Sequence, residues 1–387
     1  MAVAGGMKVL VLNAGSSSLK FDLWETTPEQ IQANTDLRLA QGAVERVTDM
    51  DQALGEVFAK IPNGPIDAVG HRIVHGGSRY QESVLIDDRV ERDIDELGVL
   101  APLHNPHNLE GVRAARAHLP QAKHVAVFDT AFHHTLPPCA YAYGLPYEYL
   151  EEKKIRRYGF HGISHRYVSW WFGELNRATS GGKTRADYRL ITCHLGNGCS
   201  VCAVEYGKSI DTSMGFTPLE GLLMGTRAGD VDAGAILHLI TQEKQAPLDV
   251  LHMLNSESGL KGLSGVSNDM RDVLKKAEAG DMRAGLAVDT FCYRVRKYIG
   301  SYLAAMNGAD ALIFTGGIGE NSSEIRARIC RGLGNLGMAI DPAANAAENG
   351  TARQIGTSAV PVWVVPTQEE LLIARDTVRC VLGIPHE

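Results

Sequence analysis

The residues of this chain best placed to do chemistry sit in turns and at strand ends. Asn13-Ala14-Gly15-Ser16-Ser17-Ser18-Leu19-Lys20 offers a carboxamide, hydroxyls, a run of backbone N–H groups and an ammonium. Backbone donors in such a turn form a concavity that holds an anion, and hydroxyls add donors without bulk. The alternative is an ordinary hairpin with a serine-rich turn. His194-Leu195-Gly196-Asn197-Gly198 repeats the design with Asn-Gly at its tip, a strong hairpin signal. Arg72 precedes Gly76-Gly77, and Arg227 lies in the glycine-rich stretch 214–232. A guanidinium fork pairs bidentately with carboxylate or phosphate, so each arginine points to a ligand anion; a buried structural ion pair is the competing reading. His161, set among glycines, is a candidate donor to an oxyanion. Asp129 closes the apolar run Val125–Phe128, at the kind of strand end where open α/β sheets bind ligands.

Strand patterns flank both turns. Val9 to Leu12 is a short aliphatic run, and Leu19, Phe21 and Leu23 alternate with polar residues on the return. Leu190–His194 and Cys199–Glu205 do the same around the second turn. Two strand–turn–strand units in the two halves predict a duplicated α/β fold with nucleotide held in the cleft between the halves. A buried strand is expected over 66–74, helices over 89–100 and 108–118 with a rigid turn at 101–106, and a strand over 125–130. Pro137, Pro138 and Pro146 mark a change of regime, which sets a boundary near 150 between domains 1–149 and 150–370. The stretch 233–305 reads as mostly helical, broken at 259–265. Ala311–Phe314 is a buried strand delivered into Gly316-Gly317-Ile318-Gly319-Glu320-Asn321, where glycines let a flat base approach the backbone. The last strand is 361–366, and a terminal helix over 371–387 is expected to pack back on the first domain.

At 387 residues the chain exceeds one core and fits two domains. A net charge of −7 argues against non-specific nucleic-acid binding, and no apolar run approaches the ~18 residues of a membrane span. The first six residues lack the basic start and long apolar stretch of a secretory signal. Seven cysteines form no framework, so reduced thiols in the cytoplasm are expected. His161-x-x-x-His165 and His104-x-x-His107 lack the glutamate of a zinc-protease helix, which disfavours a transition-metal site. His71, His75, His133 and His134 read as structural. Gly182-Lys183-Thr184 lacks the upstream glycine of a Walker A loop, and Gly316–Glu320 is an incomplete dinucleotide fingerprint.

Taken together, the motifs resemble the acetate kinase family. They include Asn13–Lys20, His71–Gly77, Phe128–Phe132, Tyr158–Gly162, His194–Gly198, Asp211–Gly215, Met224–Arg227, Thr315–Asn321 and Pro366–Glu370, in family order across nearly the whole chain. The resemblance implies the superfamily of acetate and sugar kinases, Hsp70 and actin, with two ribonuclease-H-like domains around a nucleotide cleft. It implies reversible transfer of the ATP γ-phosphoryl group to acetate, giving acetyl phosphate and ADP, with magnesium or manganese. Such an enzyme is a phosphotransferase with a carboxyl group as acceptor. By matching motif, Asn13 and Glu369 would hold the metal and Lys20 would lie at the nucleotide phosphates. Arg72 would bind the acyl carboxylate, Arg227 and His161 would stabilise the transferring group, and Asp129 is the essential acid. His194, Leu195, Gly196, Asn197 and Gly198 would line the nucleotide, with Asp269, Met270, Arg271 and Gly317, Ile318, Gly319, Glu320, Asn321. Val74, Leu103 and Pro218 would shape a small acyl pocket. The pattern departs at Gln368, Ile163 and Cys199; the first leaves open which of Glu369 and Glu370 faces the metal. The family also implies a homodimer. Competing readings are a propionate or butyrate kinase of the same family and, from another class, an Hsp70- or actin-like nucleotide switch.

Overall fold

Val9, Leu10, Val11 and Leu12 are buried and form the middle of β1 (Met7–Ala14). The computed structural model describes residues 6–15, 17–102, 104–177, 181–347 and 350–385. It divides into two compact units, Met1–His134 with Gln368–Glu387, and Thr135–Thr367. Where the prolines place a boundary near 150, the division falls at His134 and Thr135. The physical reason is bonding: the Thr135 hydroxyl donates to the Ser209 carbonyl, and Arg157 N donates to Tyr141 O, so the proline segment belongs to the second unit.

In the first unit β1 returns as β2 (Ser18–Thr26) and β3 (Leu37–Glu45), all antiparallel. β4 (Ala68–Ile73) runs parallel to β1, and β6 (Lys123–Phe128) runs parallel to β4. The short β5 (Val84–Leu85) closes the edge antiparallel to β6, giving the order β3-β2-β1-β4-β6-β5. Leu10, Leu12, Leu19, Phe21 and Leu23 pack with Leu54 and Val57 of the helix Met50–Lys60. The terminal helix Glu369–Leu382 crosses β4 at Gly70, where a Cβ would strike Thr377 Oγ1 and Ile373 Cγ2. Only glycine admits the helix at that distance.

The second unit repeats this order. β7 (Arg189–Leu195), β8 (Cys199–Glu205) and β9 (Lys208–Thr212) form an antiparallel meander, and β10 (Ala311–Thr315) runs parallel to β7. β12 (Val362–Val364) runs parallel to β10, and β11 (Arg353–Gly356) closes the edge antiparallel, giving β11-β12-β10-β7-β8-β9. Each sheet therefore has three antiparallel strands, two parallel ones and an antiparallel edge, which is the duplicated ribonuclease-H-like core. One expectation is corrected: 259–265 is not a break but a helix, Gly259–Ser264, bounded by left-handed glycines at 259 and 265. Glycine at both ends disguises it in the sequence.

Candidate active site

Arg72 is the penultimate residue of β4, and Asp129 follows β6. The two strands are parallel with Ile73 opposite Phe128, so their ends share one edge, and Asp129 N donates to Ile73 O at 2.9 Å. There Arg72 Nη2 donates to Asp129 Oδ2 at 2.7 Å, and Nη1 reaches Asn13 Oδ1 at 3.4 Å. Glu369, at the start of the terminal helix, brings Oε2 within 3.9 Å of Arg72 Nε. Lys20 stands opposite Asn13 across β1 and β2. The sequence offers Arg72 no adjacent carboxylate; the fold supplies one 57 positions on. Asp129 is fully buried, and a carboxylate so placed is sustained by a paired cation. Burial opposes the charge on Arg72, but Asp129 and Glu369 outweigh it and raise its pKa. Burial likewise pushes Glu369 up to about 7; Arg72 pulls against this, while Asp129 and Glu370 add to it.

Among the described residues no group of three or more His, Cys, Asp or Glu side chains forms a metal cage. Magnesium does not require one, because it binds through one or two carboxylates with water and phosphate oxygens completing the shell. The Glu369 carboxylate and the Asn13 amide oxygen are hard donors of that kind. A dication beside Glu369 would oppose burial and favour the ionised form, so this donor set fits magnesium. Val74, just beyond β4, is buried, and its N–H donates to Asn108 Oδ1 at 3.0 Å. Leu103 lies outside the described residues.

The second unit gathers histidines and hydroxyls. His161 adopts a left-handed backbone, φ 56°, ahead of the helix Gly162–Arg177. A residue with a Cβ pays about 1–2 kcal/mol for that conformation. It turns the imidazole to stack on His194 with ring centroids 4.3 Å apart, and Nδ1 hydrogen-bonds with Ser200 Oγ at 2.9 Å. Ser200 Oγ also meets His165 Nε2 at 2.8 Å, and His165 Nδ1 meets Thr192 Oγ1 at 2.7 Å. Arg227 Nη1 donates to Pro218 O at 3.2 Å and lies 3.8 Å from Met224 Sδ. A Cβ placed on Gly198 would be 3.2 Å from His161 Nε2 and 3.6 Å from Arg227 Nη1, so the imidazole and the guanidinium converge on that turn.

A cavity of about 550 Å³ in this unit joins three of the stretches singled out above. Gly196 and Asn197 form one wall, Asp269, Met270 and Arg271 a second, and Gly317, Ile318 and Asn321 a third. Gly316 adopts φ 76°, and a Cβ there would lie 2.9 Å from Leu195 O, so glycine is needed to pack this wall on β7. Five residues expected here stand outside the cavity; one, Gly198, is the turn residue beside His161 and Arg227. Leu195 is fully buried in β7, Gly319 packs against the Cys193 carbonyl, and His194 is engaged with Ser164. The Glu320 carboxylate turns back to accept from Gly316 N, Thr315 Oγ1 and Thr367 N. Asn268, Leu274 and Ser322 line the cavity without having been expected. Ser322 carries a readable signal, since it N-caps the helix Ser323–Cys330 through Ile325 N. Ser164, Thr192, Ser200 and Thr367 were also missed; nothing in a lone hydroxyl residue announces its partner.

The sequence profile of the acetokinase family matches residues 8–375. An acetate kinase of Solibacter usitatus is 48% identical over 98% of this chain and 100% of its own length. The crystal structure of Porphyromonas gingivalis acetate kinase matches with a TM-score of 0.88 at 40% identity, covering 97% of this chain and 100% of that one. A propionate kinase from Francisella tularensis matches with a TM-score of 0.85 at 38% identity, over 98% and 100% of the two chains.

Proposed function

The chain belongs to the acetokinase family, and from that premise we propose that it transfers the γ-phosphoryl group of ATP to acetate, reversibly and with magnesium. The observation that carries the reading is the convergence of Arg227 and His161 on the Gly196–Gly198 turn, next to a cavity sized for a nucleotide. A carboxylate acceptor is already ionised at neutral pH, so no base is needed to make the nucleophile. The difficulty is repulsion between two anions. In this reading Arg72 binds the acyl carboxylate, and Asp129 orients that guanidinium without abstracting a proton. His161 and Arg227 donate to the equatorial oxygens of the transferring group. Lys20 would lie at the phosphates, and Asn13 with Glu369 would hold the magnesium. Bound there, the ion would neutralise charge on the β- and γ-phosphate oxygens.

Val74 and Pro218 would bound the acyl chain. One methylene is worth ~1–3 kcal/mol in such a pocket, so acetate is preferred and propionate is the poorer substrate. The test is acetyl hydroxamate formation from acetate, ATP and magnesium, with kcat/KM compared between acetate and propionate. Failure to form hydroxamate with either acid sinks the reading and favours a nucleotide switch. Val74→Ala is expected to narrow the preference for acetate. The seven cysteines are unpaired thiols, which supports a cytoplasmic location. A homodimer is supported by the helix Ala233–Thr241, whose sequence is largely apolar yet has no buried residue; Leu237 is 59% exposed and nearby Leu248 76%. Sedimentation of Leu237→Asp, expected to weaken the dimer, checks that assignment.

A further inference from the structure

The network around Ser164 does work that the reading above leaves unassigned. Ser164 is fully buried in the helix Gly162–Arg177. Its hydroxyl donates to Thr367 Oγ1 at 2.9 Å and also meets His194 Nδ1 at 2.8 Å. A serine hydroxyl has one proton. With that proton committed to Thr367, the contact with His194 holds only if Nδ1 is the donor. The imidazole is then the Nδ1–H tautomer, and its other nitrogen, Nε2, lies 3.8 Å from where a Cβ on Gly196 would stand. Any second proton the ring takes up must go to Nε2, on the side of the phosphate turn.

Thr367 is itself fixed. Its N–H donates to Glu320 Oε1 at 3.1 Å, and the same oxygen accepts from Gly316 N at 2.8 Å, at the head of the nucleotide wall. One carboxylate oxygen thus joins the start of Gly316–Asn321 to Thr367, and Thr367 sets the proton of Ser164. His194 in turn stacks on His161.

We propose that Ser164 and Thr367 are positioning residues that hold His194 as the Nδ1–H tautomer, and that Glu320 acts by anchoring Thr367 to the nucleotide wall. The inference rests on the kinase reading for its consequence in turnover, but the tautomer itself is independent of that reading. It follows that removing the Thr367 hydroxyl releases the Ser164 proton to His194 Nδ1 and moves the ring proton to Nε2.

The test uses the full-length protein labelled with 15N-histidine, near pH 8.5, where an ordinary imidazole of pKa about 6.5 is neutral. Two-bond 1H–15N correlations of His194, assigned by their loss in His194→Gln, report the tautomer directly. The wild type is expected to show Nδ1–H, Thr367→Val to shift to Nε2–H, and Thr367→Ser to restore the wild-type pattern. Turnover of Thr367→Val is expected to fall at least about tenfold, within the ~10²-fold that an ångström of misplacement costs, with Thr367→Ser recovering it. A wild-type His194 protonated at Nε2 overturns the proposal, even if Thr367→Val fails to fold. So does a Thr367→Val spectrum unchanged from wild type. If the tautomer behaves as stated while no acyl phosphate forms in any variant, the relay stands and the kinase reading fails.

Discussion

The two units hold their candidate groups by different physics. In the first, Arg72 is held by charge, with Asp129 at 2.7 Å and Glu369 at 3.9 Å. In the second, His161, His165 and His194 are arranged through the hydroxyls of Ser200, Thr192 and Ser164. The contrast follows from what each can tolerate when buried. The Arg72 guanidinium keeps its proton and is balanced by a counter-charge, whereas an imidazole can be buried neutral and then needs only the correct donor and acceptor. Damage to the charged pair of the first unit should therefore cost more stability than loss of a hydroxyl in the second, while both should appear in rate.

The largest effect is expected at Arg227, whose loss as Arg227→Ala should cut kcat by ~10³–10⁵, the range of transition-state arginines, with little change in unfolding. A smaller drop would remove Arg227 from the transferring group and weaken the contrast. Asp129→Asn comes next. Breaking a buried ion pair costs about 3–5 kcal/mol, so the urea midpoint should fall markedly, together with activity. An Asp129→Asn protein with normal stability and near-normal turnover would break the comparison outright. Ser200→Ala removes one hydroxyl shared by His161 and His165. It should cost about 1–3 kcal/mol in stability, and kcat should fall by up to ~10²-fold through misplacement of His161.

The smallest effect sharpens the comparison, because the first unit also contains a neutral histidine pair. His71 Nε2 and His124 Nδ1 are 3.0 Å apart, and His124 Nε2 meets the Leu119 carbonyl at 3.1 Å. A carbonyl only accepts, so His124 carries its proton on Nε2 and His71 donates to its Nδ1. Burial, then His124 and Arg116, push His71 well below 6.5, and burial also lowers His124. Unfolded histidines bind protons near pH 6.5 while these two remain neutral, so below that value the unfolded state binds more protons. Stability is full above about 6.5 and is lost as pH falls from there through the depressed folded values. Urea midpoints at about pH 7.5 and 5.5 should show this slope, and His124→Asn should reduce it.

How much of this was legible in the sequence depends on how far apart the partners lie. Both hairpins announced themselves through strand periodicity and a Gly-rich or Asn-Gly turn, and Gly316 through its place after a buried strand. β3 was less visible because much of its length is half-exposed or exposed, which blurs the alternation. The Arg72–Asp129 pair arises only once β4 and β6 lie side by side, and no local pattern records that. Ser164 and Thr367 stand 203 positions apart. Serine and threonine occur everywhere, so their pairing waits for the fold. Glu320 was placed at the nucleotide by its motif, yet its carboxylate is spent on Gly316 N, Thr315 and Thr367, because a helix N-terminus next to a buried strand end has donors to satisfy.

The passage of the terminal helix over Gly70 bears on biosynthesis. The second unit is one uninterrupted length of chain, 135–367, and all of it is synthesised before Gln368–Glu387. The first unit begins earlier but recruits Gln368–Glu387 to cover β4. Domains fold as units during synthesis, generally from the N-terminus. Here the half that is begun first is completed only after the second, and β4 keeps its Gly70 face uncovered until the terminal helix has been made.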